Sequence, residues 1–140
     1  MEIREMNWIL AEGDLSVLLP PAEELLAEAK AKVIQEPATC LVMMQAMESV
    51  QGHPFNLGEV LITECAVEIE GIRCKGYALG DEPERALCAA LLKAAVHGGH
   101  SLAQKIKLLL AGEKEAVRQR EEAEFGLVAR TRVDFEVMNP

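Results

Sequence analysis

The chain predicts an α+β domain: an antiparallel sheet of about four to five strands covered by helices. N-terminal helices precede the sheet, and a C-terminal helix plus strand close the chain. Three observations carry this. Leu61, Thr63, Cys65, Val67 and Ile69 alternate with Glu64, Glu68 and Glu70, and a period of two marks a half-buried strand. Glu70-Gly71 between Ile69 and Ile72 supplies the positive φ of a two-residue hairpin turn. The expected register sets Ile69 against Ile72, Val67 against Cys74, Cys65 against Gly76 and Glu68 against Arg73. Asp81, Pro83 and Glu84 then read as N-cap, first-turn proline and capping box for a helix. That helix carries Leu87, Ala90, Leu91 and Ala94 on one stripe and stops at Gly98-Gly99.

The remaining elements follow in chain order. Ile3, Met6, Ile9 and Leu10 form the apolar side of a short helix over Glu2–Ala11, ended by Gly13, with Trp8 off the stripe. Asp14 caps a second helical piece that Pro20-Pro21 are expected to break. Glu23 and Glu24 suit the first turn of a renewed helix with Leu25 and Leu26. A strand is expected over Ala31–Gln35, a turn over Glu36–Ala38, and a second strand over Thr39–Met47. Cys40-Leu41-Val42-Met43-Met44 is apolar at consecutive positions, the pattern of a central strand covered on both faces. Glu48–Leu57 reads as a loop.

Ser101 and Gln104 suggest another capping box, and Leu102, Ile106, Leu109 and Leu110 a buried stripe ending at Gly112. Glu113–Glu124 reads as a helix polar nearly all round, suited to solvent or to a partner chain. Val133, Phe135 and Val137 alternate with Arg132, Asp134 and Glu136, the pattern of a terminal strand. Such a strand pairs either with its own sheet edge or with a partner's. The whole is expected to be one domain, 1–140. Its parts are N-terminal helices (1–28), antiparallel strands (31–80), covering helices (81–111), and a polar helix with terminal strand (113–138).

Composition narrows the function. Half of the 140 residues are hydrophobic, yet only five are Phe, Trp or Tyr, so the core is aliphatic. A net charge of −9 opposes binding to nucleic acid phosphates. No apolar run approaches the roughly 20 residues of a membrane span, and no signal-peptide pattern opens the chain. A cytoplasmic protein with no membrane role is expected. Cys40, Cys65, Cys74 and Cys88 contain no C-x-x-C pair, and the expectation is four buried free thiols.

Motifs for chemistry are sparse. There is no Walker A loop, no G-x-G-x-x-G and no H-E-x-x-H. His97 and His100 are separated by glycines at a helix end, not held on one face as zinc ligands. His53, in the loop beside Gly52, is the histidine best placed for catalysis. Arg85, among the arginines, could hold an anion by bidentate contacts, although nearby carboxylates offer ion pairs instead. No nucleophile, base and orienting group come together.

Three stretches nonetheless resemble a known family. Phe55-Asn56-Leu57-Gly58-Glu59-Val60-Leu61, Thr63-Glu64-Cys65-Ala66-Val67, and Gly76-Tyr77-Ala78-Leu79-Gly80-Asp81 with Glu84-Arg85-Ala86 are similar to the central block of the G subunit (PhnG) of the bacterial carbon–phosphorus lyase system. Arg130 through Met138 resembles that family's closing signature. The resemblance implies a core complex with H, I and J subunits and a functional link to the L subunit. It implies support for the step in which methylphosphonate displaces adenine from MgATP, giving α-D-ribose 1-methylphosphonate 5-triphosphate. No cofactor is implied on this chain, MgATP being a substrate of the complex, and no catalytic residue carries over.

Two readings follow. In the first the chain is a structural and accessory subunit docking through Glu113–Met138, with Phe135, Val133, Val137 and Arg132 at the interface. Alone, it could form a homodimer through surface meant for partners. In the second it is a self-contained anion-binding protein or enzyme using His53 and Arg85.

Overall fold

The computed structural model describes residues 2–28 and 30–138, with side chains as far as residue 126. The elements are α1 (Ile3–Glu12), α2 (Leu15–Ala27), β1 (Ala31–Met47), β2 (Pro54–Ile69), β3 (Ile72–Leu79), α3 (Pro83–His97) and α4 (Ala103–Met138). The three strands form one antiparallel sheet in the order β1-β2-β3. The helices gather on one of its faces, and the arrangement is α+β as expected.

The β2–β3 hairpin has the predicted register at all four pairs. Glu70 (φ 50°) and Gly71 (φ 84°) both take positive φ, as a turn matched to strand twist requires. On β2, Thr63, Cys65, Val67 and Ile69 are buried under the helices. Glu64 and Glu68 on the opposite face pair with Lys75 and Arg73 of β3.

Helix α3 lies against β3 at very short range. A Cβ at Gly76 would stand 2.0 Å from the Ala86 carbonyl oxygen and 2.5 Å from the Ala90 nitrogen. Only glycine on the strand, with Ala86 and Ala90 on the helix, permits that approach. The helix starts differently from the sequence expectation. Glu82, not Asp81, is the N-cap residue, and no side chain of the segment caps it. Thr63 does that work from β2: its Oγ1 accepts from the Glu82 N–H at 2.9 Å and donates to the Gly80 carbonyl at 2.6 Å. A buried hydroxyl already in place outcompetes the local box. Likewise Ser101 does not cap α4. His100 Nδ1 accepts from the Leu102 N–H, and its Nε2 meets Glu28 at 2.7 Å.

Asp14 caps α2 as expected, accepting from the Ser16 N–H. The helix then runs through Pro20 and Pro21 rather than breaking. Leu18, Ala22 and Leu25 are buried around them, and that packing outweighs the lost backbone bonds. Residues Met6, Ile9 and Leu10 of α1 complete the core.

Three further expectations are corrected. The strands over 31–35 and 39–47 are one strand, β1, with Pro37 absorbed at an irregularity between Gln35 and Ala38. An edge strand tolerates a proline whose missing N–H faces away from the ladder. Gly112 does not end a helix, because Ile106, Leu110, Glu113 and Val117 continue one buried stripe past it. The terminal strand over Val133–Val137 is not formed: α4 remains helical to Met138. The spacing of four between Val133 and Val137 fits a helix equally well, and an established helix extends at one bond per residue. The sheet therefore has three strands, not four or five.

A candidate docking ribbon

β1 and β2 are twice as long as β3. β3 pairs with β2 only from Ile62 to Ile69. Beyond Ile62 the β1–β2 pair continues alone, from Cys40 opposite Ile62 to Met47 opposite Pro54. At roughly 3.3 Å per residue the seven pairs beyond Ile62 extend about 23 Å past the third strand. A two-stranded ribbon has no sheet neighbour to share its burial, and in water it is marginal on its own.

Both faces of this ribbon are apolar. Leu41, Met43 and Leu61 continue the face that carries Thr63 and Cys65 in the body. Val42, Met44 and Val60 continue the other. Leu41 is 60% exposed and Phe55, near the tip, 46%. Leu57, Met47 and Val50 are more exposed still or similarly so. Monomeric soluble proteins rarely expose large contiguous apolar patches. The exposure overturns the expectation of a central strand covered on both sides. The same run of consecutive apolar residues fits a ribbon awaiting cover, because sequence does not say where the cover comes from. Cys40, expected buried, is exposed here.

The loop joining the strands is closed by its backbone. Glu48 donates its N–H to the His53 carbonyl, and Gly52 donates to the Glu48 carbonyl, each at 2.9 Å. His53 thus sits at the exposed tip. Arg85 sits at the opposite end, in the first turn of α3. Its guanidinium Nη1 donates to the carbonyls of Leu10 and Gly13 at 3.0 and 2.9 Å, and its Nε to Glu82. The fold places these two candidates apart, separated along β2 by the length of the ribbon. Arg85 serves as a clamp on the last turn of α1, satisfying carbonyls that a helix end leaves without partners. Glu113 and Arg120 of α4 grip the same corner, through the Asp14 N–H and the Glu12 carbonyl. Val133, Phe135, Val137 and Arg132 lie on the helical backbone of α4, and their side chains are outside those described.

Three of the four cysteines are held as unreactive thiols. Burial pushes the Cys65 thiol up to about 11 and the Cys88 thiol up to about 12, and raises Cys74 as well. These are thiols at neutral pH, not nucleophilic thiolates. Lys93 is buried on α3, its Nζ 5.6 Å from the centre of the Tyr77 ring, and burial lowers its pKa. That is the arrangement of a cation–π contact. Sequence reading missed it, since a lysine on an alanine-rich helix reads as solvated.

A cleft of about 220 Å³ opens at the foot of the ribbon, where Asn7 and Leu10 of α1 face Ile62, Tyr77 and Leu79. It is smaller than the roughly 300–1,000 Å³ of small-molecule sites and suits a single side chain. Among the described residues no three His, Cys, Asp or Glu side chains are grouped to hold a metal ion. No described helix is long and apolar enough to cross a membrane.

A helix-covered α+β body bearing a bare apolar ribbon is the class of protein that this fold defines. The comparisons with known proteins specify which kind. Residues 4–139 match the family model described as phosphonate metabolism protein PhnG, and the chain belongs to that family. A Rhizobium meliloti (strain 1021) protein, α-D-ribose 1-methylphosphonate 5-triphosphate synthase subunit PhnG, is 30% identical over 140 residues, covering 96% of this chain and 86% of the relative.

Proposed function

We propose that this chain is a subunit of an α-D-ribose 1-methylphosphonate 5-triphosphate synthase and acts there by docking rather than by catalysis. Family membership and the name of the Rhizobium relative support the enzyme. The single structural observation behind the docking role is the ribbon of Leu41–Met47 and Pro54–Leu61, apolar on both faces and largely exposed. The partners are the H, I and J subunits of a carbon–phosphorus lyase core complex, with a functional link to the L subunit, in the cytoplasm. MgATP and methylphosphonate are substrates of the assembly. Nothing in the described geometry favours the alternative of an independent anion site built from His53 and Arg85, whose guanidinium is already engaged by backbone carbonyls.

Co-expression with the H, I and J subunits, followed by size-exclusion chromatography with light scattering, tests this. One stable co-eluting species is expected. A well-behaved lone chain that ignores those subunits would refute the role.

A further inference from the structure

β1 is hydrogen-bonded on one side only, to β2, and its other edge has no strand beside it among the described residues. Bare edges invite pairing, and proteins blunt them with charges, prolines and bulges. On β1 those devices crowd together. Lys32, Glu36, Pro37 and two shifts of register occupy the segment before Ala38, and a further shift falls between Met44 and Gln45. Between them Ala38–Met44 pairs with Glu64–Gly58 in unbroken register. These seven residues, Ala-Thr-Cys-Leu-Val-Met-Met, hold no charge, no proline and no glycine. All seven are exposed.

The charges around this window share one sign. Glu36 precedes it, Glu48 follows it and Glu59 lies opposite Met43. All three are exposed, and none forms an ion pair among the described residues. A second copy of the chain suits this frame poorly. Antiparallel pairing of the window with itself, centred on Leu41, sets Glu36 of one copy diagonal to Glu48 of the other at both ends, and a register centred on Val42 sets them directly opposite; like charges so placed destabilise a strand pair.

We propose that Ala38–Met44 accepts a β-strand from another subunit, apolar in its middle and carrying Lys or Arg at its ends. The inference rests on the docking role above and names how one partner binds. Alternate residues of the window turn their N–H and C=O groups outward. Those main-chain bonds fix the register, and the three carboxylates select the basic flanks.

Hydrogen exchange read by mass spectrometry, on the chain alone and in the co-purified assembly, tests it. In the assembly the outward amides of Ala38–Met44 should slow by roughly tenfold or more, as amides in a paired strand do. The Glu36→Lys, Glu48→Lys, Glu59→Lys variant should associate roughly tenfold more slowly at low salt. An assembly that forms with these amides still exchanging at the free rate overturns the strand pairing and leaves the subunit role standing. Failure to assemble at all overturns both. Protection that grows with concentration in the chain alone, together with a dimer in light scattering, overturns it in favour of a second copy.

Discussion

The two halves of β2 make an instructive pair. From Thr63 to Ile69 every second residue is buried, under α3 and its neighbours. From Pro54 to Leu61 the same strand, with comparable apolar content, is exposed apart from a half-buried Val60. Backbone geometry and β1 as ladder partner are common to both. The difference is the third strand and the helices, which stop at Ile62. Cover, not pattern, separates a core strand from an exposed one here. Substitutions should therefore act on stability in the first half and on association in the second.

The largest effect is expected at Gly76. Any Cβ there strikes the backbone of α3 at 2.0 and 2.5 Å, which a side-chain rotation cannot relieve. Gly76→Ala should cost about 3 kcal/mol or more, as overpacking at a rigid contact does, read as a lowered midpoint in denaturant unfolding. Next comes the contrast of Leu91→Ala with Leu41→Ala. Leu91 is 1% exposed, and its truncation should cost ~2–5 kcal/mol. The ribbon change should stay within ~0.5 kcal/mol. Equal costs would show that the ribbon is a stability element after all.

Thr63→Val tests the boundary between the halves. It removes the hydroxyl that joins Gly80 to Glu82 and leaves a backbone N–H without its partner. The expected loss is about 1–3 kcal/mol, with the start of α3 exchanging faster. The smallest effect is a matter of pH. Burial raises the Cys88 thiol from the ordinary 9.0 to about 12. A group raised on folding contributes stability that is intact below its unfolded value and lost as pH rises through its folded one. Thermal stability should accordingly fall between about pH 9 and 12, less steeply in Cys88→Ala than in the wild type.

Much of this was legible in the residues. The hairpin register was written in the alternation around Glu70-Gly71, because side-chain parity and a positive-φ turn leave little freedom. Helix α3 was equally plain, but its cap was not, since Thr63 lies some twenty residues away from the backbone it satisfies. Pro37 and Gly112 misled for a shared reason. Each is a local breaker, and each was overridden by what lay beside it: a long partner strand in one case, a continuing buried stripe in the other. The C-terminal alternation misled because Val133 and Val137 serve a strand and a helix alike. The bare ribbon was the hardest to see. Cys40–Met44 has the composition of a covered strand, and only the topology shows that this chain leaves it uncovered.

The measurement that tests the account most directly is assembly of the Leu41→Ser, Phe55→Ser chain with the H, I and J subunits. The isolated variant should melt within a few degrees of the wild type, because both residues are already exposed. It should fail to co-elute with the other subunits, as loss of apolar anchors from an interface predicts. A variant that assembles in wild-type yield would contradict the central claim that the ribbon is where this subunit docks.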